Sequence, residues 1–226
     1  MKKIILSIII FTITTNAWTH VEHYSKFNYL EYELFRNNKS IGYHKYEFSR
    51  ENQILKIKSE VNFKITKLGV DLYKYYALSE ETYKNNRFIQ FSSKTNQNKK
   101  EKYVKIKLDP SEKHLNIDGS SYKGKANLDA IIGTWWNHEI VKSPSQISAI
   151  SGRIIDQKVT FVGKETVTIN GKTFETLRFN FKSSDETLPN DKKLNTDIWY
   201  DEKTYLWIKA AFDKTGYWEY RIKTYK

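Results

Sequence analysis

Apolar and polar residues alternate with a period of two along most of this chain. In the segment ILKIKSEVNFKIT, every second residue from Leu55 to Ile65 is apolar or small. Such alternation predicts a β-strand with one buried face, because successive side chains of a strand point to opposite sides of the sheet. The segment KYVKIKL repeats the pattern, with Val104, Ile106 and Leu108 on the predicted inner face and a basic outer face. The sequence therefore predicts a series of half-buried strands.

Turn signals separate these strands at intervals of about 8 to 12 residues. Asn-Asn pairs at 37–38 and 85–86 and the Asn-Gly pair at 170–171 each lie between two alternating segments. These residues tolerate the positive φ angles of the two-residue turns that are favoured in β-hairpins. Gly42, inside a strand, predicts a bulge or a close approach of two backbones. No long segment has the period of a helix, so the pattern predicts an antiparallel all-β fold.

One segment, residues 120–153, breaks the alternation and is rich in small residues. It predicts an irregular crossing segment between two halves of one sheet, with a short helix near residues 127–136. We predict a single β domain over residues 29–226, whose two halves are residues 29–119 and 154–226. The expected architecture is a curved antiparallel sheet or half-barrel of about ten or more strands in a meander, with at most one short helix in the middle.

The N-terminal sequence MKKIILSIIIFTITTNA has two lysines, a mostly apolar run from Ile4 to Ile13, and small residues before Ala17. This is the anatomy of a secretory signal peptide. The apolar run is shorter than the about 20 residues that a membrane-spanning helix needs. We therefore predict a signal peptide over residues 1–17, a flexible N-terminus over residues 18–28 and a periplasmic or secreted location. An uncleaved N-terminal anchor is the alternative.

Composition and charge narrow the choice of partners. The chain contains no cysteine, so burial and not disulfides must hold the fold, and aromatic residues, at 15%, supply the core. The net charge is +12, or +10 without residues 1–17. Basic proteins bind nucleic acids, anionic membranes or acidic polymers. Export argues against nucleic acid and leaves an anionic envelope surface, with simple compositional bias as the alternative. We expect Glu80, Glu81 and Glu165 to be surface charges or turn anchors.

Motifs spread along the chain resemble a known family. In order they are NKSIGYHKYEF, LGVDLYKYYALSEETYKNNRFIQFSSKTNQN, TWWN, VGKETVTINGKTFETLRF, DIWYDEKTYLWIKAAFDKTG and EYRI. They resemble an uncharacterised family of exported Gram-negative β-rich proteins that is catalogued as a domain of unknown function. The resemblance covers roughly residues 29–223 and implies a strongly curved antiparallel sheet, half-barrel in shape like lipoprotein carriers. It implies no reaction, because the family has no established catalytic residues.

The segment GTWWNHEIV has the highest density of candidate functional groups. If it is a strand, His138 and Glu139 point to opposite faces and do not orient each other as a catalytic pair would. In the favoured interpretation, Trp135 and Trp136 cap an open end of the core and Asn137 hydrogen-bonds to loop backbone. The alternative is that the three residues form an aromatic lip over a ligand pocket.

The segment DIWYD is a second candidate site. Trp199 and Tyr200 are further candidate ligand contacts. Asp197 and Asp201 share a face with Trp199, and Glu219 follows on a later strand. Paired carboxylates can perform glycoside hydrolysis, but the same residues are expected on the wet face of any amphipathic strand. A carboxylate-based hydrolase is therefore the least favoured function, and we assign no catalytic residue.

The predicted mature N-terminus carries a candidate metal site. Cleavage after Ala17 would leave a chain that begins Trp18-Thr19-His20. The α-amine of Trp18, two backbone nitrogens and the imidazole of His20 would form a square-planar site suited to Cu(II) or Ni(II). His23 would add an axial nitrogen. The alternative is a chance histidine near a frayed terminus. No other cofactor is expected.

Two functions of different classes remain open. The first is a non-catalytic, monomeric binding or carrier protein for a lipid or another apolar or amphipathic molecule. It predicts an internal cavity with the two tryptophans at its mouth and a lining of Ile57, Val61, Phe63, Ile106 and Phe179. The second is a structural or envelope-associated protein with a solid sheet, whose basic face meets anionic polymer or lipid headgroups.

Overall fold

Fifteen strands form one sheet in the computed structural model, which describes residues 22–226. The strands are β1 (Tyr29–Arg36), β2 (Lys39–Glu51), β3 (Ile54–Lys67), β4 (Val70–Lys84), β5 (Arg87–Gln97), β6 (Lys100–Leu108), β7 (Leu115–Gly119), β8 (Lys123–Ala126), β9 (Ile131–Ile132), β10 (Ser145–Ile147), β11 (Ile154–Ile169), β12 (Lys172–Ser183), β13 (Asn195–Asp201), β14 (Trp207–Asp213) and β15 (Tyr217–Tyr225). Two short 3-10 helices, Glu22–Lys26 and His138–Lys142, precede β1 and β10.

The strand order across the sheet is β8-β7-β6-β5-β4-β3-β2-β1-β15-β14-β13-β12-β11-β10-β9. The sheet is thus two meanders joined side by side where β1 pairs antiparallel with β15, with Leu30 opposite Tyr225 and Phe35 opposite Glu219. β9 and β10 pair in parallel. The order confirms the predicted all-β meander of more than ten strands.

Two-residue turns with positive φ angles connect six of the hairpins in the described chain. They include the three turns predicted from Asn-Asn and Asn-Gly pairs, which are therefore confirmed. Asn occupies the first turn position in five of the six, at Asn37, Asn52, Asn85, Asn98 and Asn170. The sixth turn has Leu68 at this position, with a φ angle of 51°.

Each strand buries the face that its alternation predicts. On β3 and β6, Leu55, Ile57, Phe63, Val104 and Ile106 are all buried. The buried side chains form two clusters. The larger one contains residues of β1–β4 and β11–β15, and the smaller one contains residues of β5–β10.

The crossing segment lies against the inner face of this sheet. Ile132 of β9 and Ile147 of β10 belong to the smaller cluster with Ile106 of β6. Ser93 of β5 donates a hydrogen bond from its Oγ to the carbonyl of Ala149 at 2.5 Å. The sheet therefore curves around a segment of its own chain. It has the expected half-barrel shape, and the crossing segment fills its interior.

Two expectations about local structure were wrong. The short helix is not at residues 127–136, which contain β9 and turns, but follows them at His138–Lys142. The region predicted to be a flexible N-terminus is ordered from residue 22 onward: Tyr24 is fully buried, and its hydroxyl accepts a hydrogen bond from the Trp207 amide at 3.0 Å. Residues 1–21, with the predicted signal peptide, lie outside the described residues.

Gly42 combines the bulge and the close approach that its position predicts. The β1–β2 register shifts beside it, since Leu34 pairs with Gly42 whereas Phe35 pairs with Ser40. A Cβ atom on Gly42 would lie 2.1 Å from the carbonyl oxygen of Asn62 on β3. A side chain is therefore excluded by neighbouring backbone.

We expect Gly42→Ala to lower the free energy of unfolding by about 1–3 kcal/mol, because the added methyl group overpacks against backbone that is fixed by strand pairing. Urea denaturation measures the loss. Gly171→Asn is the control, since Gly171 has a φ angle of 76° that Asn tolerates and no atom within 4 Å of its Cβ position. Equal losses in the two variants would contradict this account of Gly42.

Candidate functional site

The predicted site at Trp135 and Trp136 lies inside the curved sheet. Trp136 is 0% exposed. Its ring meets three aromatic rings edge-on, those of Tyr24, Phe48 and Tyr83, at centroid distances of 5.5, 5.6 and 5.9 Å. The structure therefore places Trp136 in the core and not at the mouth of a cavity.

Side chains of the sheet also hold the backbone of this segment, Thr134–Asn137, which we call the WW turn. Tyr46 and Tyr200 donate hydrogen bonds from their hydroxyls to the carbonyls of Thr134 and Trp135, at 2.6 and 2.9 Å. The Asn137 side chain accepts from the Glu139 amide at 3.1 Å and so caps the 3-10 helix His138–Lys142. These contacts fix the WW turn from both sides.

Trp135 has an unusual backbone conformation for a bulky residue. Its φ angle is 62°, in the left-handed region that disfavours side chains with a Cβ atom. Its ring packs edge-on against Trp207 and Tyr220, at centroid distances of 5.5 and 5.7 Å. Packing and the Tyr200 hydrogen bond therefore stabilise a conformation that is unfavourable for an isolated residue.

A buried carboxyl group anchors the WW turn to the sheet. Glu81 of β4 is buried, and its Oε2 accepts a hydrogen bond from Trp136 Nε1 at 2.5 Å. Burial raises the pKa of Glu81 to about 8, although hydrogen bonds from Trp136 and Thr134 partly oppose the rise. The Glu81 carboxyl is therefore mostly protonated at neutral pH.

The sequence interpretation of Glu81 as a surface charge was wrong. A signal was present, because Tyr73, Tyr75, Ala77, Ser79 and Glu81 alternate along β4 and the tyrosines mark the inner face. Because buried carboxylates are rare, a glutamate is expected at the surface even where the alternation places it on the inner face. Its partner could not be identified, because Trp136 lies 55 residues away along the chain.

His138 and Glu139 do meet, contrary to the sequence-based expectation. They lie in a 3-10 helix and not in a strand, so adjacent side chains are not forced to opposite faces. His138 Nε2 lies 3.1 Å from Glu139 Oε1, and Lys142 Nζ lies 3.0 Å from Glu139 Oε2. The hydrogen bond with His138 is the main cause that lowers the pKa of Glu139 to about 2. His138 also stacks on Tyr205 at 4.5 Å.

Trp199 and Tyr200, the other candidate ligand contacts, lie on opposite faces of β13. Tyr200 faces inward to the WW turn. Trp199 faces outward between two cations, with Arg178 and Lys209 each 4.9 Å from its ring centroid. Its Nε1 donates to Glu165 at 2.6 Å. The structure therefore does not bring the two residues into one site.

The acids of the hydrolase hypothesis are each held by other groups. Arg178 contacts Asp197 at 2.5 Å, and Lys209 contacts Glu219 at 2.7 Å. Asp201 accepts a hydrogen bond from the Thr204 amide at 2.8 Å, as a turn residue does. The carboxylates therefore form ion pairs and a turn, and they do not converge on an open cleft.

The predicted internal cavity is filled by side chains. Ile57, Phe63 and Ile106 are buried among the two clusters, and Val61 and Phe179 pack against the larger one. A small pocket of about 170 Å³ remains near the ends of β4 and β5, lined in part by Tyr83, Phe88, Leu115, Ile132 and Asn137.

A larger groove, of about 920 Å³, lies on the outward face of β2–β7. Its floor follows one row of directly opposed residues: Ser59 of β3, Ser79 of β4, Ser93 of β5 and Val104 of β6. Serine side chains take little room on the inner face. The sheet can therefore approach the crossing segment here, as the hydrogen bond from Ser93 shows, and its outward face becomes concave.

Two cross-strand rows of outward side chains form the walls of this groove. The first row is Glu47, Lys58, Glu80, Ser92, Lys105 and Asp118; the second is Lys45, Glu60, Leu78, Lys94 and Tyr103. Within the described part of the chain, no carboxylate lies within 4.0 Å of the ammonium groups of Lys58, Lys94 or Lys105. These three cations are available to a ligand in the groove.

Comparison with known proteins now identifies the family. The family model for the domain of unknown function DUF6134 matches residues 32–223. The chain belongs to this family. The match confirms the resemblance to an uncharacterised domain family that the sequence motifs indicated. No curated protein matches the chain.

One solved structure of low sequence identity shares the fold. A beta-barrel-like protein of domain of unknown function DUF1849 from Brucella abortus covers 88% of this chain and 96% of its own, with a TM-score of 0.59 and 11% identity. A DUF1329 family protein from Desulfovibrio piger covers 91% and 88%, but its TM-score of 0.20 at 8% identity is too low to support an argument. The likeness to the Brucella abortus protein concerns the fold alone.

Residues 22–226 bear on metal binding and on membrane crossing. They contain no cluster of three or more His, Cys, Asp or Glu side chains that could hold a metal ion. They also contain no helix long and apolar enough to cross a membrane. Trp18 and His20 of the proposed Cu(II) or Ni(II) site lie outside the described residues, and the side chain of His23 is not described.

The raised pKa of Glu81 predicts a pH-dependent stability. Between its ordinary pKa of 4.5 and about 8, the carboxyl is protonated in the native state and ionised in the unfolded state. Stability therefore falls as pH rises through this interval. Burial lowers the pKa of His44 from 6.5 to about 3, which gives the opposite slope below pH 6.5. Between pH 6.5 and 8 the contribution of Glu81 outweighs that of His44, and stability falls by at most about 1 kcal/mol per pH unit.

Glu81→Gln tests this prediction, because the amide oxygen can still accept from Trp136 and the side chain does not titrate. We expect the free energy of unfolding of the wild type, relative to that of the variant, to fall as pH rises from 4.5 to about 8, because the His44 contribution is common to both. Denaturant titration at several pH values measures this difference. Glu80→Gln, on the outward face of the same strand, is the control and should keep the wild-type slope. A parallel pH dependence in wild type and Glu81→Gln would show that Glu81 is not protonated in the native state.

Proposed function

We propose that this protein is an exported, non-catalytic binding protein that holds an amphipathic ligand in the outward groove of β2–β7. The observation that carries the proposal is the groove itself. Its volume of about 920 Å³ lies within the range of small-molecule sites, about 300–1,000 Å³. The proposal keeps the ligand class expected from the sequence and moves the site from the interior to the outer face.

The shape of the groove favours an elongated ligand. The groove crosses from β2 to β7, which is five strand spacings of about 4.8 Å each, or about 24 Å in all. A groove of this length suits an extended chain better than a compact molecule. The row of small residues along its floor leaves the middle of the groove open over β3–β6.

The walls of the groove favour a ligand with both apolar and anionic parts. Leu78 and Tyr103 offer apolar surface, and Leu78 is exposed to solvent. Lys58, Lys94 and Lys105 offer cations that are not ion-paired within the described residues. A lipid or another anionic amphiphile would use both features.

Other functions have weaker support. An internal carrier site would have to displace Trp136, which fills the interior, and hydrolysis would need carboxylates that Arg178 and Lys209 already bind. Metal binding by Trp18 and His20 is a separate proposal that depends on cleavage after Ala17. The periplasm is the proposed location because residues 1–17 have the pattern of a signal peptide.

Binding of the anionic amphiphile anilinonaphthalene sulfonate tests the groove. We expect Leu78→Asp to weaken binding about tenfold or more, because the change removes apolar contact and adds a negative charge at the centre of the second wall. Fluorescence titration measures the affinity. Val162→Asp is the control, since Val162 is an exposed apolar residue on β11 outside the groove. Equal affinities in the two variants would argue against the groove as the site.

A further inference from the structure

The tip of the β3–β4 hairpin exposes apolar side chains. Leu68 is 95% exposed, and Val70 and Leu72 are 61% and 54% exposed. Single exposed apolar residues are common on protein surfaces, but three within five residues at the end of a hairpin form one projecting apolar group. We call these three residues the apolar tip.

Leu68 is also in an unfavourable backbone conformation. Its φ angle of 51° is left-handed, and Asn occupies the same position in the five other two-residue turns of this kind. Asn tolerates this conformation much better than Leu does. Because Leu68 is almost fully exposed, its side chain contributes little packing to offset the strain. Because the strain at Leu68 does not stabilise the fold, it points to a function for this residue, such as contact with a partner.

A β-bulge adds to the irregularity of the tip. Ile65 pairs with Tyr73 and Thr66 pairs with Asp71, which leaves Leu72 without a cross-strand partner. Bulges redirect side chains at the edges of sheets and next to functional sites. The bulge therefore supports a functional reading of the apolar tip that does not depend on the conformation of Leu68.

Three lysines of the same hairpin lie near the apolar tip in the sequence. Lys64 and Lys74 lie 3.7 and 3.2 Å from the carboxylate of Asp71, and the exposed Lys67 is adjacent to Leu68. Three lysines against one aspartate give this end of the hairpin a net positive charge. An apolar group next to several cations is complementary to an anionic lipid bilayer, in which acyl chains lie beneath negative headgroups.

We propose that the apolar tip inserts into the interfacial region of an anionic lipid bilayer. The neighbouring lysines, Lys64, Lys67 and Lys74, then contact the phosphates of the headgroups. The same hairpin contributes Leu78 to the groove, eight residues beyond Val70 on β4, or about 26 Å at about 3.3 Å per residue. Insertion would thus hold the groove near the membrane surface. The insertion proposal does not depend on what the groove binds.

A single fluorescent label tests insertion directly. The chain has no cysteine, so Leu68→Cys gives one site for an environment-sensitive thiol dye. We expect the emission of the labelled full chain to shift to the blue when vesicles of phosphatidylglycerol and phosphatidylethanolamine are added. A label at Val162→Cys, at a position that is 51% exposed on β11, should not shift. No shift at residue 68, or equal shifts at both sites, would overturn the proposal. If residues 4–13 alone held the chain on the vesicles, the label at residue 68 would stay in water and its emission would not shift.

A second variant separates insertion from folding. Leu68→Asn installs the residue that the five other turns use, so thermal stability should not fall. Partitioning onto the same vesicles should drop about tenfold or more, and the wild type should bind neutral phosphatidylcholine vesicles less tightly. Unchanged partitioning in Leu68→Asn would overturn the proposal. Binding of anilinonaphthalene sulfonate should be the same in wild type and Leu68→Asn. The membrane-insertion proposal can therefore fail independently of the proposal that the groove binds a ligand.

Discussion

The curved sheet has an apolar inner face that must be covered, and the chain covers it with its own crossing segment. The hydrogen bond between Trp136 Nε1 and Glu81 at 2.5 Å lies at the centre of this arrangement. It joins the WW turn to β4, while Tyr46 and Tyr200 hold the neighbouring carbonyls. Because both partners are buried, breaking this hydrogen bond would leave polar groups unsatisfied in the core. The curvature of the sheet and the filling of its interior therefore depend on each other.

A filled interior leaves the outward face for function. The same row of serines that lets the sheet approach the crossing segment makes the opposite face of β3–β6 concave. Cross-strand register then places lysines, carboxylates and Leu78 along the two walls. The groove is thus a consequence of how the core is built. In the half containing β11–β15, Arg178 and Lys209 lie over the ring of Trp199 and form ion pairs with Asp197 and Glu219.

Features encoded by neighbouring residues could be predicted from the sequence, and features that need distant partners could not. The Asn170-Gly171 turn, the inner face of β6 and the bulge at Gly42 depend on local chemistry and were predicted. Glu81 and Trp136 are 55 residues apart, and nothing local indicates that they meet. The groove was missed because alternation shows which side chains share a face but not which way the sheet curves. Tyr24 and the His138–Glu139 contact were missed because short 3-10 helices leave little periodic signal.

The central claim is that the interior is closed and that an amphipathic ligand binds outside it. A two-dimensional ¹H–¹⁵N NMR titration with decanoate tests this claim most directly. We expect shifts in the backbone amides of Leu78, Lys94 and Tyr103, and an unchanged indole N–H signal of Trp136. A shifted Trp136 signal with unchanged groove amides would show that the ligand enters the core, and would contradict the account.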